Sequence, residues 1–280
     1  MRTIAVAHLK GGTGKTATCH ALGTVLAGER GRQVLLVDCD PQASLTGACG
    51  VRDTEGVSLA EALNGAGPDA LELLLYRIIL RIEPGMDLLP ADIALARTEQ
   101  LLLATPKRTL VLRDALRMLG AKYDVAVLDC PANLGLLTTN ALAAADAVLI
   151  PTTPNVLDLR ALKLFLVSLE ETKSQYNPRL ETLGIVVTFF DRRLNHHRRI
   201  LEAMHSLGLP VLDVVIGRTV RIAEASAENQ SIVQYAPRHR QADAYRQLAD
   251  VVDQWLGKPV QRHRRLGELL REDWSPAATE

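Results

Sequence analysis

Lys10-Gly11-Gly12-Thr13-Gly14-Lys15-Thr16 lies between a short apolar run, Ile4 to His8, and a helix-like run from Lys15 to Glu29. A strand, a glycine-rich turn and a helix in that order form the context in which such a loop binds phosphate. The glycines let backbone N–H groups turn inward around phosphate oxygens, at the positive end of the following helix. Lys15 is placed to reach the β- and γ-phosphates of a nucleotide, and the Thr16 hydroxyl to hold Mg²⁺. The rest of the loop, Gly11, Gly12, Thr13, Gly14 and Ala17, supplies the backbone cradle.

Outward from the loop, apolar runs and helical stretches alternate. Val34 to Val37 ends on Asp38, Val125 to Leu128 ends on Asp129, and Ala147 to Ile150 is stopped by Pro151; Leu183 to Phe190 and Val211 to Ile216 follow. Uninterrupted apolar runs of this length, with helical segments between them, read as buried parallel strands. Asp92 to Leu103, Lys107 to Leu119 and Asn155 to Tyr176 read as helices, the first two separated by Thr105-Pro106. Tyr245, Leu248, Val252 and Trp255 recur at helical spacing and should dock a last helix on the sheet. The pattern predicts α/β architecture: one doubly wound, mainly parallel sheet with helices on both faces. It assigns residues 1–256 to that domain and 257–280 to a tail with a short amphipathic piece around Leu266, Leu269 and Leu270.

Of the 280 residues, 48% are apolar, which excludes a disordered or fibrous chain. No run of 18 apolar residues exists, and Lys10 interrupts the apolar start before a secretory signal could form. Cys19, Cys39, Cys49 and Cys130 have no zinc or disulfide spacing, so a cytoplasmic location is expected. Lys plus Arg equals Asp plus Glu at 32 each, so any polyanion must be met by a local patch.

At the loop, Leu9 stands where the general phosphate loop has glycine, and Lys10 directly precedes the double glycine. In this the sequence resembles the deviant Walker A ATPases (K-G-G-x-G-K-[ST]), a P-loop group that includes the ParA/Soj partition ATPases and MinD. The resemblance implies that Lys10 crosses a nucleotide-sandwich homodimer to the partner subunit's ATP. Asp38-Cys39-Asp40-Pro41-Gln42 resembles the family's D-x-D-P-Q segment, which implies that Asp40 orients the attacking water and that Asp38 lies near the Mg²⁺. Asp129, closing a Walker B strand, is implied to hold Mg²⁺. Lys10, Lys15 and Asp40 are thus the expected catalytic residues, with Thr16, Asp38 and Asp129 around the metal. Three positions depart from the pattern: Ala17 replaces a common threonine, Ala132 a second proline, and Gly217 the proline of an I-P-R-x-x-R stretch.

The C-terminal half resembles the ParA/Soj branch, in Thr188 to Arg193 and in Ile216 to Arg221. Residues 179–280 carry a net charge of +2 and residues 1–178 one of −2, a weak asymmetry. Locally, Arg192, Arg193, Arg198, Arg199, His196 and His197 cluster, with Arg218 and Arg221 beyond. The resemblance implies that Arg192, Arg193, Arg218 and Arg221 contact phosphates of double-stranded DNA once two subunits join. Such contacts carry no sequence information and weaken with salt. The expected function is an ATP-dependent switch in plasmid or chromosome partition, stimulated by a ParB/Spo0J-like protein and nucleoid-associated when ATP-bound. The alternatives are positioning of a protein cargo and MinD-like membrane attachment. Glu268, Glu272, Asp273 and an interior glycine make the tail a poor interfacial helix, so membrane binding is not expected.

Overall fold

The computed structural model describes residues 1–64, 68–104 and 108–258. Eight strands form one sheet: β1 (Arg2–Val6), β2 (Val34–Asp38), β3 (Leu80–Glu83), β4 (Met86–Leu89), β5 (Val125–Asp129), β6 (Ala147–Thr152), β7 (Glu181–Phe190) and β8 (Val211–Gly217). Their order is β3-β4-β2-β5-β1-β6-β7-β8, and every pairing is parallel except β3 with β4. Helices α1 (Lys15–Gly28) and α2 (Ser44–Ala48) flank β2 in sequence, and α3 (Leu59–Leu63) and α4 (Pro68–Ile78) precede the hairpin. Then come α5 (Ala94–Leu102), α6 (Val111–Met118), α7 (Leu136–Ala144), α8 (Val156–Gln175), α9 (Asn195–Ser206), α10 (Arg221–Ala227), α11 (Ile232–Tyr235) and α12 (Arg240–Leu256).

Strand alternation splits the core into two layers. Ala5, Leu35, Val37, Ala126, Leu128, Val148 and Ile150 face a layer that includes Leu116 of α6, Leu142 of α7 and Phe165 of α8. Ile4, Val6, Val34, Leu36, Val125, Val127 and Leu149 face the opposite layer, with Leu22 of α1 and Tyr245, Leu248, Val252 and Trp255 of α12. Both faces are dry, so each strand reads as a continuous apolar run although its side chains alternate. The doubly wound sheet and the docked last helix agree with the expectation from sequence.

Two features differ from the sequence reading. Pro151 does not end its strand: β6 runs to Thr152, with Pro151 opposite Val186 of β7. The last bond from the β1 side is Ala7 N–H to the Leu149 carbonyl. Pro151 faces the same side two residues on, so the N–H it lacks ends the β1–β6 ladder there while the β6–β7 pairing continues. The β3–β4 hairpin was not anticipated, because its strands are four residues long and joined only by Pro84-Gly85. The Thr105-Pro106 break and the tail beyond Lys258 lie outside the described residues.

Parallel order puts the C-terminal ends of β1, β2, β5, β6, β7 and β8 on one rim. β1 lies between β5 and β6, so the loop that leaves it opens into the crevice where ligands of doubly wound sheets bind.

Candidate functional site

Gly12 (φ 75°) and Gly14 (φ 84°) are left-handed, and Gly14 is the N-cap of α1 with no side-chain cap. The first amides of α1 are thus left for an external acceptor, and a Cβ at either position would strain the turn. Lys15 opens the helix and is buried; its ammonium donates to the Lys10 carbonyl at 3.3 Å. Phe189, also left-handed at φ 52°, closes the far side, its ring 3.5 Å from where a Gly14 Cβ would stand. That backbone conformation is costly for an aromatic residue. Thr188 fixes it in place, donating its hydroxyl to the carbonyls of Thr13 at 2.9 Å and Thr152 at 3.2 Å.

Asp38 and Asp129 are register partners at the ends of β2 and β5, and both are buried. Asp129 Oδ2 accepts from the Thr16 hydroxyl at 2.7 Å, while its Oδ1 has no hydrogen-bond partner. Burial raises the Asp129 carboxyl above the usual range, and the charge of Asp38 raises it further. A hydroxyl and a half-satisfied buried carboxylate are hard oxygen donors that fit Mg²⁺, whose shell is completed by water and phosphate. Consistent with that, no cluster of three or more His, Cys, Asp or Glu side chains among the described residues forms a self-contained metal cage.

Asp38, beside Asp129 in register, also has a structural task. Its Oδ2 accepts from the Thr46 amide and hydroxyl, both at 2.8 Å, and its Oδ1 from the Asp40 amide at 3.1 Å. Both oxygens are spent on protein donors, so Asp38 ties α2 and the 40–46 loop to the sheet. Burial raises this carboxyl too, against the lowering effect of the Thr46 bonds. Asp40 is half-buried and turns its Oδ1 to the Gln42 amide at 3.0 Å.

Gly11, Gly12, Gly14, Lys15, Thr16, Ala17 and Asp40 line one cavity of about 460 Å³. Its other wall comes from Phe189, Thr219, Ile222, Ala223 and Gln230, so it extends well beyond a phosphate site. The glycine at 217, at the end of β8, has a specific partner in Gln241 of α12. Its N–H donates to Gln241 Oε1 at 2.6 Å, and a Cβ would meet Gln241 Nε2 at 2.5 Å. Proline would lose the first and clash with the second, so Gln241 of α12 takes over the positioning of this rim.

His20 of α1 also lines the cavity and is buried; burial pushes its pKa down to about 4. The unfolded imidazole takes a proton near 6.5, so the neutral ring stabilises the fold in full above that pH and less as pH falls toward 4. Relative to a His20→Gln variant, wild type should therefore lose up to about 1.4 kcal/mol per pH unit between pH 6.5 and 4. Urea unfolding of both proteins across that range checks this, and parallel pH profiles would refute it.

The sequence-derived arginines reach the same rim as the loop. Arg192 and Arg218 are exposed and make no ion pair among the described residues. The Arg218 amide donates to the Phe190 carbonyl at 3.0 Å, which brings the ends of β7 and β8 together. Arg193 is paired with Asp191 at 2.9 Å and Arg221 with Glu224 at 2.9 Å, so two of the four charges are locally compensated. Lys10 is 40% exposed and turns onto Asp158 of its own subunit, which is 1% exposed. His8 is buried beside it and accepts the Lys10 amide on Nδ1 at 3.0 Å. Its pKa is held near 4, mainly by burial, so that lone pair is available at neutral pH.

Sequence reasoning missed Thr46, Thr188, Gln241, His8 and Asp158, all of which position the site. Only Asp158 carried a local signal. Asn155-x-x-Asp158 is a helix-start pattern, and Asn155 Oδ1 does accept the Asp158 amide at 2.9 Å.

Comparison with known proteins agrees with this geometry. A family described as an AAA domain matches residues 1–182. The chromosome-partitioning ATPase Soj of Thermus thermophilus is 40% identical over 253 residues, covering 90% of this chain and 95% of that protein. The chromosome partitioning protein ParA of Caulobacter vibrioides is 36% identical, over 89% of this chain and 92% of its own. A crystal structure of cobyrinic acid a,c-diamide synthase from Mycobacterium smegmatis with bound ADP and magnesium is 35% identical. It matches with a TM-score of 0.78, covering 95% of this chain and 99% of that one. With the phosphate loop, the Thr16–Asp129 pair and these relatives in agreement, the chain is an ATPase that uses ATP with Mg²⁺, and it belongs to the ParA/Soj family.

Proposed function

We propose that this ATPase is a dimerising switch that binds double-stranded DNA without sequence preference and works in plasmid or chromosome partition. The observation that carries the reading is the shared rim: the phosphate loop with its second lysine, Lys10, opens on the same edge of the sheet as Arg192 and Arg218. Two subunits joined face to face over nucleotide would combine two modest arginine patches into one site. A neutral monomer then releases DNA readily once the dimer dissolves.

In this reading Gly11 to Ala17 cradle the phosphates and Lys15 neutralises them, while Lys10 completes the partner subunit's site. Asp40 orients water for in-line attack, and Asp38 holds Asp40 in place through its backbone amide. Mg²⁺, when bound, spreads the charge that develops on the phosphate oxygens; Thr16 and Asp129 would hold it. No arginine finger lines the cavity among the described residues, which suits slow intrinsic turnover stimulated by a ParB-like partner.

The diamide synthase relative raises a second reading, amidation of a small molecule. Ammonia release from an amide donor commonly needs an activated thiolate. Here Cys19, Cys39 and Cys130 are buried and Cys49 is half-buried, and burial raises all four thiols above their ordinary value. The switch is the better fit.

ATP-dependent co-sedimentation with random double-stranded DNA and with anionic liposomes, over a salt titration, tests the proposal. DNA binding should require ATP and weaken steeply with salt. Arg192→Ala removes two phosphate contacts per dimer and should flatten the log–log salt slope by about 2. Retention on liposomes alone would move the reading to membrane attachment, and binding to neither to a protein cargo.

A further inference from the structure

The contact between Lys10 and Asp158 is built more carefully than a surface ion pair. Asp158 lies in the first turn of α8, where the helix dipole favours a carboxylate, and it is almost wholly buried. Thr153 donates its hydroxyl to Asp158 Oδ2, and Asn155 Nδ2 donates to that hydroxyl at 2.6 Å while its Oδ1 caps the Asp158 amide. The second oxygen, Oδ1, receives the Lys10 ammonium. At the other end of the same lysine, His8 holds the backbone amide. Lys10 is thus fixed at its main chain and at its head, with only the flexible stem between them free to swing.

We propose that Asp158 is a positioning residue that stores Lys10 within its own subunit until nucleotide and a second copy of the chain draw the lysine away. The inference rests on the reading of Lys10 as the lysine that enters the partner's site. The arrangement suits release as well as storage. When Lys10 leaves, Asp158 Oδ2 keeps the Thr153 hydroxyl and the carboxylate stays in the first turn of α8, which offset part of the lost contact. Val156 and Leu157, exposed beside it, give the arriving copy apolar surface to bury at the same place. The latch therefore sets a threshold: assembly has to exchange one charge-assisted contact for another, which keeps free subunits apart when nucleotide is scarce.

Sedimentation velocity with a non-hydrolysable ATP analogue tests this on the full chain. Asp158→Asn keeps the shape and the Thr153 contact but removes the charge. Since an ionised partner roughly doubles a hydrogen bond, the protein concentration at half-dimerisation should fall about tenfold. In a Lys10→Ala background, Asp158→Asn should change nothing, and any gain in dimer there overturns the latch. Thr153→Val removes the hydroxyl that Asp158 keeps once Lys10 has left, so it should raise the midpoint. An unchanged or raised midpoint for Asp158→Asn, with nucleotide affinity intact, overturns the latch. If that variant loses nucleotide affinity or melts early, Thr153→Val decides, and an unchanged or lowered midpoint there overturns it equally. Wild type that stays monomeric with the analogue overturns the dimer reading instead.

Discussion

Lys15→Ala should bind ATP and ADP at least about 100-fold more weakly than wild type, measured by calorimetry with Mg²⁺ present. The size follows from where the ammonium sits. It is buried under the loop, and its charge, with the Thr16 hydrogen bond, works against the burial and the Asp38 charge that raise the Asp129 carboxyl. Phosphates arriving without it would face two buried acids with only backbone amides and Mg²⁺ to offset their charge. Leaving one member of a buried charged contact unpaired typically costs about 3–5 kcal/mol. The fold itself has little at stake, because among the described residues this ammonium donates only to the Lys10 carbonyl, at a long 3.3 Å. Circular dichroism should therefore be unchanged, and unchanged ATP affinity would remove the phosphate-loop assignment.

That loop was legible in the sequence because its chemistry is local: positive φ demands glycine, and the two lysines and the threonine lie within seven residues. The central strands were legible for a related reason, since a sheet covered on both faces has no polar phase to confuse the pattern. What escaped was set by distance along the chain. The resemblance set Asp38 near the Mg²⁺ but gave no sign that its Oδ2 also binds the amide and hydroxyl of Thr46, eight residues on. Gly217 looked like a defect until Gln241, twenty-four residues on, was seen to take its N–H. Lys10 carries a family expectation that concerns a second subunit, while its contact within the subunit, Asp158, is 148 residues away. The β3–β4 hairpin failed differently: its four-residue strands are shorter than the window over which periodicity can be read.

Asp40→Ala separates binding from turnover. The exchange leaves the backbone amide that donates to Asp38, so the 40–46 loop keeps its anchor, and among the described residues the only bond lost is from the exposed Gln42 amide. Nucleotide affinity should stay within a few-fold of wild type, because the phosphates are held by Lys15, Thr16 and the amides of α1. Turnover should fall by about 10²–10⁴, the range for removing a group that positions or deprotonates the nucleophile. Since hydrolysis is what dissolves the dimer in the proposed cycle, the variant should accumulate as an ATP-bound dimer. It should stay on DNA long after free ATP is diluted away, whereas wild type leaves. Single-turnover phosphate release and dissociation from immobilised random DNA give the two halves of this result. Slow hydrolysis with fast release would keep Asp40 in catalysis but uncouple hydrolysis from DNA release. Normal hydrolysis would place the water-orienting group elsewhere on the cavity wall.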